Sequence, residues 1–536
     1  MSQQTLSLVA DVLVIGGGPA GAWAAIAARA AGCDVILADK GFLGTSGATA
    51  PSNTETWLAA PGAPRAQAIA RHIAKTSGLC DADHTDRVLD GAYRGLARMV
   101  AWSYPFPGDA DGRPYLGNLR GPDYMRFLRR RVIGAGVQVL DHHPALELMA
   151  DGDGVTGAAG VDRQFHTAWR ARASAVVLAT GGCAFGARIL GATGLTGDGY
   201  LMAMEAGATL SGMELSSQYA VTPAGSSLNK GMTYRWASFY DDAGRHLGDP
   251  GEDRQVFIAD ALANGRVFAR LDKAGKRERD WLRRGQANCF LPFDRAGIDP
   301  FTDMFEVTLR CEGTVRGVGG IRLVSSLGET GVSGLYAAGD VASREDLTGA
   351  ITGGGGPNAS WAIASGTWAG EAAGSFARGA RRSRDARNDK PLGDAGLHAS
   401  SRTGAQSDRP STSDVNAAVG AQILAVERNF YRTAAGLDGS LAVLDSLWSD
   451  YRGSRADARR SASDPETLRC REAAAMLAAS RWALASAAAR QESRGMHRRT
   501  DYRKMRPDGP RRLGVRGIDE IELVPRHDLA AGSAAR

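Results

Sequence analysis

The chain has 536 residues, 43% of them hydrophobic, which is more than one ordinary core absorbs, so a multidomain globular protein is predicted. Lys and Arg total 64 against 58 Asp and Glu, and much of the excess sits in "RGARRSRDAR" and "RGMHRRTDYRKMRPDGPRR". A surplus this diffuse argues against nucleic acid as a partner while leaving room for an anionic ligand. Six cysteines, Cys33, Cys80, Cys183, Cys289, Cys311 and Cys470, contain no Cys-x-x-Cys pair, so no zinc site, iron–sulfur cluster, disulfide framework or other metal site is predicted.

The N-terminus "MSQQTLSLVADVLVIGGG" runs directly into a strand without signal-peptide features, and no run of eighteen apolar residues follows. A cytoplasmic protein without direct membrane insertion is predicted. Residues 11–40, "DVLVIGGGPAGAWAAIAARAAGCDVILADK", read as an apolar strand, a glycine turn, an Ala-rich helix and a second strand ending in an acid. Gly16, Gly18 and Gly21 fill the glycine places of the dinucleotide fingerprint, with Pro19 and Ala20 opening the helix and Asp39 placed for the adenosine ribose. Lys40 follows it, and Ser46 and Thr49 are candidate hydroxyl contacts or ordinary turn hydroxyls.

Two later strands distinguish FAD from NAD. "ASAVVLATGG" (173–182) ends in Thr180 and Gly181, and "VSGLYAAGDVAS" (332–343) ends in Gly339 and Asp340. Both resemble segments of glutathione-reductase-like flavoproteins, where the first returns the chain to the nucleotide domain and the second places its Asp near the ribityl chain and pyrophosphate. FAD is the cofactor this implies.

Further segments resemble the succinate dehydrogenase, fumarate reductase and L-aspartate oxidase flavoprotein family, the FAD-dependent oxidoreductase 2 family. They are "TGLTGDGYLMAMEAGATLSGMELSSQY", which contributes Asp198, the glycine-rich return "VRGVGGIRL", and "ESRGMHRRTDY" (492–502). In that family the stretch "TGAITGGGGPNASWAIASG" (348–366) sets a helix N-terminus against the flavin pyrimidine ring, which implicates Gly356, Asn358 and Ser360. The resemblance implies an α/β fold: a Rossmann-like FAD-binding domain (1–220 and 316–380), an inserted capping domain (221–315) and a C-terminal helical domain (414–500). A polar linker (381–413) and a tail (501–536) complete the expectation.

Departures from the family carry the functional reading. Gly47, in "TSGATAPSNT", stands where the membrane-associated members place the histidine that tethers FAD, so noncovalent FAD is expected. "SSQYAVTP" lacks the family "QFHP" histidine, "VRGVGGI" lacks the histidine of "HYTMGGI", and "AITGGGGPNAS" lacks the arginine of "NRLGGNS". Three losses point away from succinate, fumarate and L-aspartate. Arg254 occupies the place of the family's proton-donating arginine, or is a solvated arginine opening a helix; Arg316 and Tyr219 are further catalytic candidates. The expected activity is hydride transfer between flavin N5 and a small organic substrate, with oxygen or an external carrier as acceptor. The alternatives are an electron-transfer subunit working with an iron–sulfur partner protein, or a non-catalytic FAD-binding protein.

Overall fold

In the computed structural model the described residues are 5–106, 113–229, 232–251, 253–352, 355–379, 389–400, 410–453, 455–462, 464–509 and 511–525. The strand Leu6–Ile15 is fully buried over Val12–Ile15 and pairs in parallel with Val35–Ala38 on one side and Ala168–Leu178 on the other. Gln138–Leu140 extends the parallel set beyond Val35–Ala38. Residues this apolar on both faces form a covered sheet, which the helices Pro19–Ala30 and Gly355–Gly379 supply on one side.

Those two helices approach until side chains larger than hydrogen would collide. A Cβ on Gly370 would lie 2.2 Å from the Ala24 carbonyl oxygen, and one on Gly366 would lie 2.4 Å from that of Ala20.

The long strand Ala168–Leu178 divides its other edge. Its first half pairs antiparallel with Gly154–Val161, itself antiparallel to Ala145–Asp151, and its second half pairs in parallel with Leu335–Ala337. This brings the ends of Leu6–Ile15, Ala168–Leu178 and Leu335–Ala337 together, the place where such sheets hold ligands.

The cap is an antiparallel sheet of Gln218–Pro223, Phe305–Gly313, Val267–Arg270 and Ser238–Tyr240, with the helix Arg254–Leu262 and two more helices packed on it. Phe239, Phe290, Phe293 and Phe305 fill its separate core. Its sheet starts at Gln218, a few residues before the expected 221, because that strand is hydrogen-bonded to Phe305–Gly313 throughout.

The C-terminal half departs further from expectation. Within 501–536, expected only as a tail, Leu513–Arg516 and Glu522–Pro525 form a hairpin that adds to Leu210–Ser211. Within the polar segment 381–413, Lys390–Pro391 joins the edge of Ala145–Asp151 and His398–Ser400 pairs with Arg455–Arg459. Of that segment, 381–388 and 401–409 lie outside the described residues, as do Gly353, Gly354 and residues 526–536.

The helix Pro465–Ala489 is buried along nearly its whole length, with Leu477, Trp482 and Leu484 in the same core as Leu13, Val176 and Leu201. The helical part is therefore continuous with the FAD-binding core. A buried ion pair reinforces the joint: Arg471 Nη1 donates to Glu205 Oε1 at 2.7 Å. No helix among the described residues is long and apolar enough to cross a membrane.

Candidate active site

A cavity of about 460 Å3 opens where the three parallel strands end, within the about 300–1,000 Å3 usual for cofactor and ligand sites. The turn after Leu6–Ile15 forms one wall through Gly16, Gly18, Pro19 and Ala20. Gly16 has φ +109°, a conformation that glycine adopts without strain, and a Cβ there would strike the Ala179 carbonyl oxygen at 2.3 Å. Gly21 is not in the wall. A Cβ on it would sit 1.8 Å from the Gly16 carbonyl oxygen, so it lets helix and turn pack.

Asp39 stands in the wall with its carboxylate accepting from the backbone N–H of Gly17, the N–H of Gly41 at 2.7 Å and the Ser46 hydroxyl at 2.9 Å. Lys40 donates to Asp198 at 2.9 Å and lies 2.5 Å from Glu472 of the C-terminal helix. Burial opposes its charge, but the two carboxylates outweigh burial and hold its pKa above the ordinary lysine value. Ser46, Thr49, Thr180, Gly181, Asp198, Gly339, Asp340 and Asn358 also line the cavity. Burial pushes the Asp340 carboxyl above its usual range, with Arg344 and Arg316 acting against that shift.

Two predicted flavin contacts sit elsewhere. Ser360 is fully buried, and its hydroxyl accepts from the Trp57 N–H at 3.1 Å; the Gly356 carbonyl accepts from the same N–H. Both hold the Trp57 segment against the helix and do not line the cavity.

The residues fit FAD on structural grounds. Thr180 Oγ1 and Asn358 Oδ1 are buried at the wall with no hydrogen-bond partner, and such atoms call for a ligand. Space lies open beyond the Cα of Gly18, Gly47 and Gly194.

Of the catalytic candidates only Arg316 lines the cavity, its Nε 3.4 Å from Glu312 Oε1. Tyr219 is corrected to a packing residue. Its side chain is buried, its ring meets Phe430 edge-on at 5.5 Å, and its hydroxyl lies within hydrogen-bond reach of the carbonyl groups of residues 423–425, nearest that of Ala425 at 3.1 Å. Arg254 opens its helix in the cap, outside the cavity wall, with Nε buried and unpartnered. Burial, then the neighbouring Arg235, lowers its pKa.

Sequence reasoning missed Asn229, Glu312 and the segment Ile189–Leu195, all of which line the cavity. The segment's glycine and threonine content, directly between "ATGG" and "TGDG", was an available signal.

Two family models match: the FAD binding domain over residues 11–232 and the fumarate reductase flavoprotein C-terminal region over 421–512. L-aspartate oxidase of Mycobacterium tuberculosis is 27% identical over 583 residues, covering 97% of this chain and 98% of its own. That of Halobacterium salinarum is 28% identical over 62% of this chain and 69% of its own. Among solved structures, a variant of E. coli quinol fumarate reductase FrdA matches with TM-score 0.81 and 21% identity over 97% of each chain. Adenylylsulfate reductase from Archaeoglobus fulgidus matches with TM-score 0.77 and 17% identity over 98% of this chain and 96% of its own. At these identities the structural likeness is one of fold. Fingerprint, cavity and C-terminal module agree with the matched models: the chain is an FAD-dependent oxidoreductase similar to the succinate dehydrogenase, fumarate reductase and L-aspartate oxidase flavoproteins.

Proposed function

We propose that this oxidoreductase exchanges a hydride with a small organic substrate other than succinate, fumarate or L-aspartate, and that it holds FAD noncovalently. Bound FAD supplies the redox chemistry at N5. The chain's own contribution is a wall in which Arg316, held beside buried Glu312, presents a cation for a substrate anion. That pairing is the observation that carries the reading. Val315, beside it in the position of a family histidine, is apolar and buried, so the wall offers no imidazole there.

Noncovalent binding is supported by Gly47, which brings no side chain to the wall. The described residues lining the cavity include no histidine or cysteine, and the hydroxyl of the lining Tyr124 accepts from Trp23 Nε1 at 2.8 Å.

The named relatives favour L-aspartate, and the altered wall favours a different substrate. Anaerobic flavin spectra decide between them: amines, amino acids and carboxylic acids, including L-aspartate and succinate, are tested for bleaching of the oxidised flavin, and enones and fumarate for return of colour to the prereduced flavin. Reduction of the flavin, or reoxidation of the prereduced flavin, by another member of the panel supports the proposal. Turnover of any of the three excluded compounds at ordinary enzymatic rates, about 1–10³ s⁻¹, overturns it. A second reading, a cytoplasmic flavoprotein subunit passing electrons to an iron–sulfur partner, draws on the likeness to quinol fumarate reductase. Copurification of an iron–sulfur protein, with no turnover on oxygen alone, would favour it.

A further inference from the structure

Glu312 lies near the end of Phe305–Gly313, a strand whose alternate residues Phe305, Val307, Leu309 and Cys311 are buried in the cap. The intervening Glu306, Thr308 and Arg310 are less buried, and strict alternation would place Glu312 with them. Instead its side chain is fully buried and lines the cavity. A buried carboxylate is costly unless it is paired and hydrogen-bonded. Asn229 Nδ2 donates to Glu312 Oε1 at 2.5 Å, and Arg316 Nε lies 3.4 Å from the same oxygen. Asn229 is 2% exposed, and its Oδ1 is buried at the cavity without a hydrogen-bond partner. An amide oxygen left this way calls for a donor.

We infer that Asn229 and Glu312 are specificity-determining residues that receive an ammonium group of the substrate, with Arg316 beside them to receive a carboxylate. The inference rests on the reading of this cavity as an oxidoreductase site and names its substrate class: a small amino carboxylate with one anionic and one cationic end. The charges explain the choice. Asn229 supplies an acceptor and Glu312 a negative charge where the substrate's second polar group would sit. A dicarboxylate would bring an anion against that buried carboxylate, and like charges at contact distance in a poorly solvated site repel strongly. The other lining cations are committed elsewhere: Lys40 to Asp198 and Glu472, and Arg163 to the Lys40 carbonyl at 3.1 Å.

β-Alanine and succinate, similar in span but differing in one charged end, are the probes. Their affinities for the FAD-loaded protein are measured by titration calorimetry and by perturbation of the flavin spectrum, neither of which requires turnover. β-Alanine is expected to bind at least tenfold tighter than succinate. Glu312→Gln should narrow that preference tenfold or more with flavin content unchanged. Asn229→Ala should weaken β-alanine binding in the same sense, and serves if the first variant does not fold. Succinate binding as tightly as β-alanine, neither compound binding, or a preference that survives both substitutions overturns the inference. So does loss of FAD from Glu312→Gln, which would assign the carboxylate to the cofactor. If the binding preference holds but nothing bleaches the flavin, the oxidoreductase proposal fails while this assignment stands; bleaching with no ammonium preference is the reverse.

Discussion

Arg432 donates from Nη1 to Nδ1 of His497 across 2.6 Å, while the other ring nitrogen lies 3.0 Å from the Arg490 carbonyl oxygen. An acceptor at Nδ1 and a donor at Nε2 define a neutral imidazole, fully buried, in the C-terminal signature. Burial, then the charge of Arg432, holds its pKa well below the ordinary value. A lowered folded-state pKa contributes stability present above the unfolded value of about 6.5 and lost as pH falls below it. Stability should therefore decline on acidification from about pH 6.5, by up to ~1.4 kcal/mol per pH unit from this group, read as a falling melting temperature. His497→Gln should lower stability by about 1–3 kcal/mol at pH 7.5 and lose most of that penalty by pH 5. A penalty independent of pH between those values would contradict the assignment.

Glu345 should show the opposite sign. Burial, then the nearby Glu214, raises its pKa to about 7, and its Oε2 accepts from the Ser211 hydroxyl. A raised folded-state pKa gives stability present below the unfolded value near 4.5 and lost as pH rises toward 7. Glu345→Gln retains the shape and removes the titration. Its stability relative to the parent should improve by about 1–3 kcal/mol between pH 4.5 and 7.5, measured by chemical denaturation at each pH. A constant difference would show that Glu345 does not change protonation on unfolding in that window.

Arg316 and Arg254 make a paired test of the cavity wall. Arg316→Lys replaces a planar fork with a point charge and should lower kcat/KM by about 30–1,000-fold, the equivalent of ~2–4 kcal/mol, with flavin content retained. Arg254→Lys should be nearly silent because Arg254 lies outside the wall. Kinetics on whichever substrate bleaches the flavin provide the measurement. A large loss from Arg254→Lys together with a silent Arg316→Lys would return the catalytic role to the cap helix.

FAD should leave with the supernatant when the purified protein is precipitated with acid. Yellow colour retained in the washed pellet would reveal a covalent bond and refute the argument from Gly47.

How much of this was legible in the sequence depends on how local each cause is. The fingerprint Gly16, Gly18, Asp39 and the strand ends at Thr180 and Asp340, expected as flavin contacts, line the cavity because turn and strand chemistry within a few residues dictates their places. Tyr219, expected as a catalytic candidate, does not line the cavity because what captures its hydroxyl is the backbone of residues 423–425, far along the chain. Glu312 escaped notice because its strand obeys alternation up to the residue before it, and only the cavity beside the sheet explains the break. Ser360 lies on the expected helix, but its direction toward Trp57 is set by packing that no motif encodes.

The reach of Glu472 to Lys40 has a consequence for the order of events during synthesis. A ribosome releases the strands around Gly16, Thr180 and Asp340 long before the helix Pro465–Ala489 exists, and domains tend to fold as they emerge. Until that helix docks, Lys40 lacks one of its two carboxylates and Leu13, Val176 and Leu201 lack the neighbours that complete their core. Completion of the core beneath the cavity is thus a late event in the life of the nascent chain. A polypeptide stopped ahead of residue 465 would emerge as a client for chaperones and proteases rather than as a smaller flavoprotein.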